Sequence, residues 1–194
     1  MKAVVIASHP NQGSTFRLIK YTVDFALEGK KVLFVSTEID TPNITDRIHG
    51  YIHGTQHDSE NLNITVRQVK LHSMDFLEPH DNFDVIVIDS HYLLFNAEDL
   101  MSQYDKLSNI IGDALLVINM QVTRHGYNNG CIELSRLGKF PEWVESATYI
   151  ERVDGAFVET KIDVHTGTKI DVVSVYTLKM SPIVQKIPYL SKYV

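Results

Sequence analysis

The sequence predicts an α/β fold, a mainly parallel sheet flanked by helices with a late antiparallel hairpin. Three observations predict it. Short runs such as Val4-Val5-Ile6-Ala7 and Val85-Ile86-Val87-Ile88 are apolar throughout rather than alternating, as strands buried on both faces are. Segments with helical spacing separate them. Near the end, two strand-like runs flank Val164-His165-Thr166-Gly167, a turn sequence.

In chain order, the first apolar run breaks at Ser8-His9-Pro10-Asn11-Gln12-Gly13, and Ser14-Thr15 opens a helix that Gly29 ends. Lys31 to Ser36 is the second strand, running into Thr37-Glu38-Ile39-Asp40. Thr41 as N-cap and Pro42 at the first helical position start a helix through Ile48 or Ile52. His53 to Asn61 reads as a polar loop, and Leu62 to Leu71 as a loosely alternating strand. Phe83 to Asp89 is a clean buried strand ending in an acid, followed by a helix from about Ala97 to Ile111. Ala114 to Asn119 is another buried strand, ending near Gln121. Gly126 to Gly138 reads as a glycine- and asparagine-rich loop and Pro141 to Ala147 as a short helix, before hairpin strands at Gly155–Thr160 and Lys169–Leu178.

Composition bounds the function. With 194 residues, 44% hydrophobic and 22% charged, the chain reads as one globular domain, 1–194. A net charge of −6 disfavours coating nucleic acid by bulk electrostatics, while leaving room for a local basic loop. Cys131 is the only cysteine, which excludes an internal disulfide or a thiolate zinc site and suits a reducing cytoplasm. No apolar run reaches membrane-spanning length and no signal peptide is evident, so the expectation is a cytoplasmic protein without membrane contact.

The loop after the first strand carries the chemistry. Strand, tight polar loop, helix is the geometry that aims backbone N–H groups and a helix N-terminus at an anion. A Walker-type phosphate loop needs glycine where the backbone meets phosphate, a lysine on the terminal phosphates and a hydroxyl on magnesium. Gly13 and Thr15 fit; Ser14 stands where the lysine belongs, and Ser8 where the first glycine does. In parallel sheets ligands sit beyond the carboxyl ends of the strands, where Glu38, Asp89 and Gln121 also fall. Asp89 can hold a metal-bound water opposite Thr15, or it simply ends a strand. Glu38 is either a base that polarises water or a solvated acid.

The stretch Ala7 to Thr15 resembles the Walker A loop of the DnaB-type replicative helicases, proline included. Gly29 to Glu38, with Arg47-Ile48 beyond, is similar to their second strand, catalytic glutamate and following helix. Asp84 to Asp89, with Leu93-Leu94 beyond, resembles their Walker B. Ala114 to Arg124 resembles the strand carrying their sensor glutamine, here Gln121, and Ile150 to Ala156 resembles the approach to their next strand. The matches are collinear from Lys2 to about Lys179. The resemblance implies a RecA-like P-loop NTPase fold and a protein of DNA replication or recombination. It implies ATP bound by Ser8, His9, Pro10, Asn11, Gln12, Gly13, Ser14 and Thr15, with Mg2+ on Thr15 and Asp89 and catalysis by Glu38 and Gln121. Lys179 would reach a neighbouring subunit's nucleotide, which implies a homo-oligomer or assembly with another ATPase.

The departures modify that expectation. Ser14 brings no charge to phosphate, and no arginine follows Lys179, so ATP–Mg should bind weakly and turn over slowly or not at all. Lys2, Lys20 and Lys179 are the candidate substitute cations. One alternative is a regulatory binding protein on a P-loop fold without catalysis. Another is a flavodoxin-like quinone reductase, because Ser8-His9-Pro10-Asn11 followed by Ser14 also resembles a loop that cradles the phosphate of FMN or FAD.

Three further features stand apart. His49, His53 and His57 recur at helical spacing ahead of Asp58, a weak metal set or a solvated face. Arg124, Arg136 and Lys139 flank a flexible stretch that, in RecA-like proteins, grips single-stranded DNA. The tail from Ile187 to Val194 is apolar, as a segment packing on a neighbouring subunit or on its own domain would be.

Overall fold

The computed structural model describes residues 2–54, 62–70, 76–78, 81–89, 100–123, 132, 134 and 141–176. Within them run β1 (Lys2–Ser8), α1 (Ser14–Leu27), β2 (Val32–Ser36), α2 (Thr41–Gly54), β3 (Ile64–Gln68) and β4 (Val85–Asp89). There follow α3 (Leu100–Ile111), β5 (Leu115–Gln121), β6 (Val144–Val153), β7 (Ala156–Ile162) and β8 (Lys169–Tyr176). The strands form one eight-stranded sheet in the order β3-β2-β4-β5-β1-β6-β7-β8. The pairings from β3 through β6 are all parallel. β7 and β8 extend the sheet antiparallel, as the hairpin sequence predicts.

Period-two alternation divides the strand side chains between two cores. Val32, Phe34, Val85, Val87, Val117 and Ile6 face α1 and α2, meeting Leu18, Ile19, Val23, Ile44, Ile48 and Ile52. Leu33, Val35, Ile86, Ile88, Leu116 and Ile118 face the other way, onto Tyr104, Leu107 and Ile111 of α3. Both faces of the central strands are therefore buried, which is why those strands are apolar on both faces up to the polar residues near their carboxyl ends.

Helix ends follow local rules. Gly29, at φ 80°, terminates α1 in a left-handed turn. The Lys30 N–H donates to the Phe25 carbonyl and the Gly29 N–H to that of Ala26, each at 3.0 Å, a Schellman closure. The start of α2 differs from expectation by one residue. Asp40, not Thr41, is the cap: its Oδ1 accepts from the Asn43 N–H at 2.9 Å. Thr41 is the first helical residue, and Pro42 still sits in the first turn, where its missing N–H costs nothing.

The short helix expected over Pro141–Ala147 is not formed. A turn at Glu142-Trp143 leads directly into β6, whose residues pair in parallel with β1. The free edge of β1 supplies the ladder, and tertiary pairing overrides a segment too short to hold a helix of its own.

Candidate functional site

The β1–α1 loop turns sharply at two left-handed residues, Asn11 (φ 64°) and Gly13 (φ 84°). Gly13 caps α1 with no side-chain hydrogen bond, and the first intrahelical bond runs from the Arg17 N–H to the Gly13 carbonyl at 3.1 Å. The N–H groups of Ser14, Thr15 and Phe16 thus precede the helical ladder at the positive end of the helix dipole. No acidic residue occupies that first turn.

The parity of the strands places the polar residues. Ser36, Asp89 and Ser8 end β2, β4 and β1 on the α1-facing side, Asn119 stands on the same side two residues before the end of β5, and all four are buried. Thr15, on the first turn of α1, donates its hydroxyl to Asp89 Oδ2 at 2.9 Å. Asn119 Nδ2 approaches Asp89 Oδ1 at 3.4 Å, and the Ser8 hydroxyl lies 3.5 Å from Asn119 Oδ1. The Thr37 hydroxyl donates to the Asp89 carbonyl at 3.3 Å. Ser36 Oγ accepts from the Ile39 N–H at 3.1 Å and so shapes the chain leading from Glu38 into α2.

Burial pushes the Asp89 carboxyl up to about 6. The hydroxyl of Thr15 and the amide of Asn119 pull against that rise, as does the charge of Arg47, while the nearby Glu38 adds to it. Glu38 is itself exposed.

Sequence and structure agree in bringing Ser8, Thr15, Asp89 and Glu38 to one edge. Gln121 ends β5, at the carboxyl edge as expected. Ile88 pairs with Ile118, so Asn119 is level with Asp89, while Gln121 sits two residues further out beside Ser8. The residue on the buried acid is Asn119, and only strand pairing could identify it. His9 lies edge-on to Tyr149 with centroids 6.3 Å apart, and Pro10 is exposed at the turn. Ser14 is buried at the first helical position. Lys179, Arg124, Arg136 and Lys139, Cys131, His57 with Asp58, and the tail from Ile187 to Val194 lie outside the described residues. His49 and His53 are exposed on α2, and no group of three or more metal-ligating His, Cys, Asp or Glu occurs among the described residues. No described helix is long and apolar enough to cross a membrane.

The β6–β7 hairpin grips the loop from its other side, which nothing in the sequence foretells. Gln12 Oε1 accepts from the Arg152 N–H at 2.7 Å. Phe157 closes over Gly13 so tightly that a Cβ there would lie 2.3 Å from Phe157 Cε1. Arg17 Nη2 pairs with Glu159 Oε2 at 2.8 Å, with Glu159 fully buried. Gly13→Ala should therefore lower stability by about 1–3 kcal/mol through positive-φ strain and the displaced ring. Urea unfolding checks this. Phe157→Leu in the same background should return part of the loss by freeing the ring's place.

Asp89 and Thr15 suit magnesium, a hard cation that takes one carboxylate and one hydroxyl and keeps several waters. The loop N–H groups suit phosphate. Neither a protein-family model nor a curated protein sequence matches this chain.

Proposed function

We propose that the chain is a RecA-like P-loop protein that binds ATP with magnesium at the β1–α1 loop and hydrolyses it slowly or not at all. The observation that carries this reading is the 2.9 Å contact between the Thr15 hydroxyl and the Asp89 carboxylate. It joins a helix-start hydroxyl to a strand-end acid 74 positions away, beside a strand–loop–helix turn of the kind that suits an anion. The segments that carry the helicase resemblance supply four adjacent parallel strands, β2, β4, β5 and β1, so their carboxyl ends converge.

In this reading the loop and the start of α1 hold the phosphates, and Thr15 and Asp89 hold the metal. Glu38, exposed above Asp89, faces the water. With Ser14 in the lysine position, phosphate charge is incompletely neutralised, which sets weak binding and slow turnover. The same resemblance supports a role in DNA replication or recombination. The flavin alternative is disfavoured by strand order: flavodoxin-like sheets set the first strand between the second and third, whereas β1 lies between β5 and β6.

Calorimetry with ATP and Mg2+ tests the proposal. Ser14→Lys should tighten ATP–Mg about tenfold, the effect of one charged hydrogen bond to phosphate. Unchanged binding in a folded Ser14→Lys protein would mean that the loop is not shaped for a triphosphate.

A further inference from the structure

Resting on that reading, we infer that Asn119 is the positioning residue of the magnesium site, its carboxamide holding the Asp89 carboxylate in place between β5 and the start of α1.

A carboxylate at a strand end turns about its Cβ–Cγ bond unless both oxygens are engaged. At Asp89 both are. Oδ2 accepts from the Thr15 hydroxyl at 2.9 Å, and Asn119 Nδ2 donates toward Oδ1 at 3.4 Å. The amide is oriented in its turn, because the Ser8 hydroxyl donates toward Asn119 Oδ1 at 3.5 Å. An ionised carboxylate accepts hydrogen bonds and donates none, so the NH2 end of the amide suits Asp89 and the carbonyl end is left for Ser8. Both amide contacts are long for hydrogen bonds, so Thr15 is the tighter of the two holds.

Strand register makes the arrangement. Ile88 pairs with Ile118 and Ile6 with Asn119, which sets Asp89, Asn119 and Ser8 on the adjacent strands β4, β5 and β1 with their side chains on one face. All three residues are buried, so bulk water does not compete for these contacts. Asn119 is the one polar residue between Leu115 and Met120, and a buried carboxamide there costs stability that an apolar side chain would not. A role toward Asp89 accounts for it. Groups that hydrogen-bond a metal-holding side chain fix its orientation, and losing one typically weakens metal binding about 10–100-fold. Contact with the metal itself stays with Thr15 and Asp89.

The test is calorimetry of ATP in Mg2+ and of ATP in EDTA, on wild type, Asn119→Leu and Asn119→Ser, with thermal unfolding in EDTA to verify each fold. Leucine matches the volume of asparagine closely but cannot donate. Serine fits without crowding but is too short to reach Asp89, so it gives the same reading if the leucine protein does not fold. Each variant should bind ATP–Mg about tenfold more weakly than wild type, and ATP in EDTA as wild type does. A merely structural asparagine would lower the unfolding temperature and leave the gain from Mg2+ intact. Wild-type affinity for ATP–Mg in a folded variant, or an equal loss with and without Mg2+, would overturn the role of Asn119 while leaving the nucleotide site standing. A wild-type protein that binds no ATP, or binds it no better in Mg2+ than in EDTA, would overturn the reading on which this inference rests.

Discussion

Arg17→Ala should destabilise the protein by about 3–5 kcal/mol, because it strands a buried carboxylate without its counter-charge. Glu159 is 0% exposed on the α1-facing side of β7, and Arg17 Nη2 at 2.8 Å is its ion-pair partner. The contact is ionic rather than well aligned: neither Glu159 oxygen meets hydrogen-bond geometry with any described residue. The desolvation cost of the pair is therefore incompletely offset. Replacing both members, Arg17→Met with Glu159→Leu, should be near neutral or stabilising. Urea denaturation separates the two variants. The single change should lower the midpoint by about 1–3 M at the slopes usual for small domains, and the double change should return it. Equal losses in both would show that packing of the arginine stem over Tyr21, 4.6 Å from the guanidinium, matters more than charge.

Asp89→Asn should stabilise the protein at neutral pH while abolishing the effect of magnesium on ATP binding. The Asp89 carboxyl stands at about 6 in the fold against 3.8 ordinarily. Between those values the folded state holds a proton that the unfolded chain has released, so native stability falls as pH rises from about 4 to about 6. Above that window the cost is complete, about 3 kcal/mol for a shift of this size. Below pH ~4 both states are protonated and the cost vanishes. Asparagine carries no charge to desolvate and can still meet Thr15, so its gain should be nil at pH 4 and largest above pH 7. Thermal unfolding across pH reads the difference. A variant gain independent of pH would assign the effect to packing rather than ionisation. Magnesium bound to the carboxylate should itself offset the wild-type cost, so added Mg2+ should stabilise wild type and not the variant.

The sequence by itself determined the α/β class, the parallel centre and the late hairpin, because a strand buried on both faces must be apolar at every position and a hairpin needs its turn. It also determined that the β1–α1 loop, Glu38 and Asp89 lie at strand ends, since each interrupts such a run. The central parallel strands β1, β2, β4 and β5, the helices α1 and α3 and the late strands β7 and β8 were legible to within a few residues. The start of α2 was displaced by one residue, because Asp40 and Thr41 are both good caps and only the chain's approach from β2 selects between them.

Tertiary structure alone decided which of these residues meet. Register set Asn119 level with Asp89, since one pairing choice between β4 and β5 fixes every neighbour along both strands. The free edge of β1 turned the segment after Pro141 into β6, for a ladder partner outweighs local preference. The hold of the hairpin on the loop through Arg152, Phe157 and Glu159 joins positions about 140 residues apart, as the Gln12–Arg152 bond does. No local pattern encodes such a contact, because it depends on where the sheet carries β6 and β7 once β1 has paired.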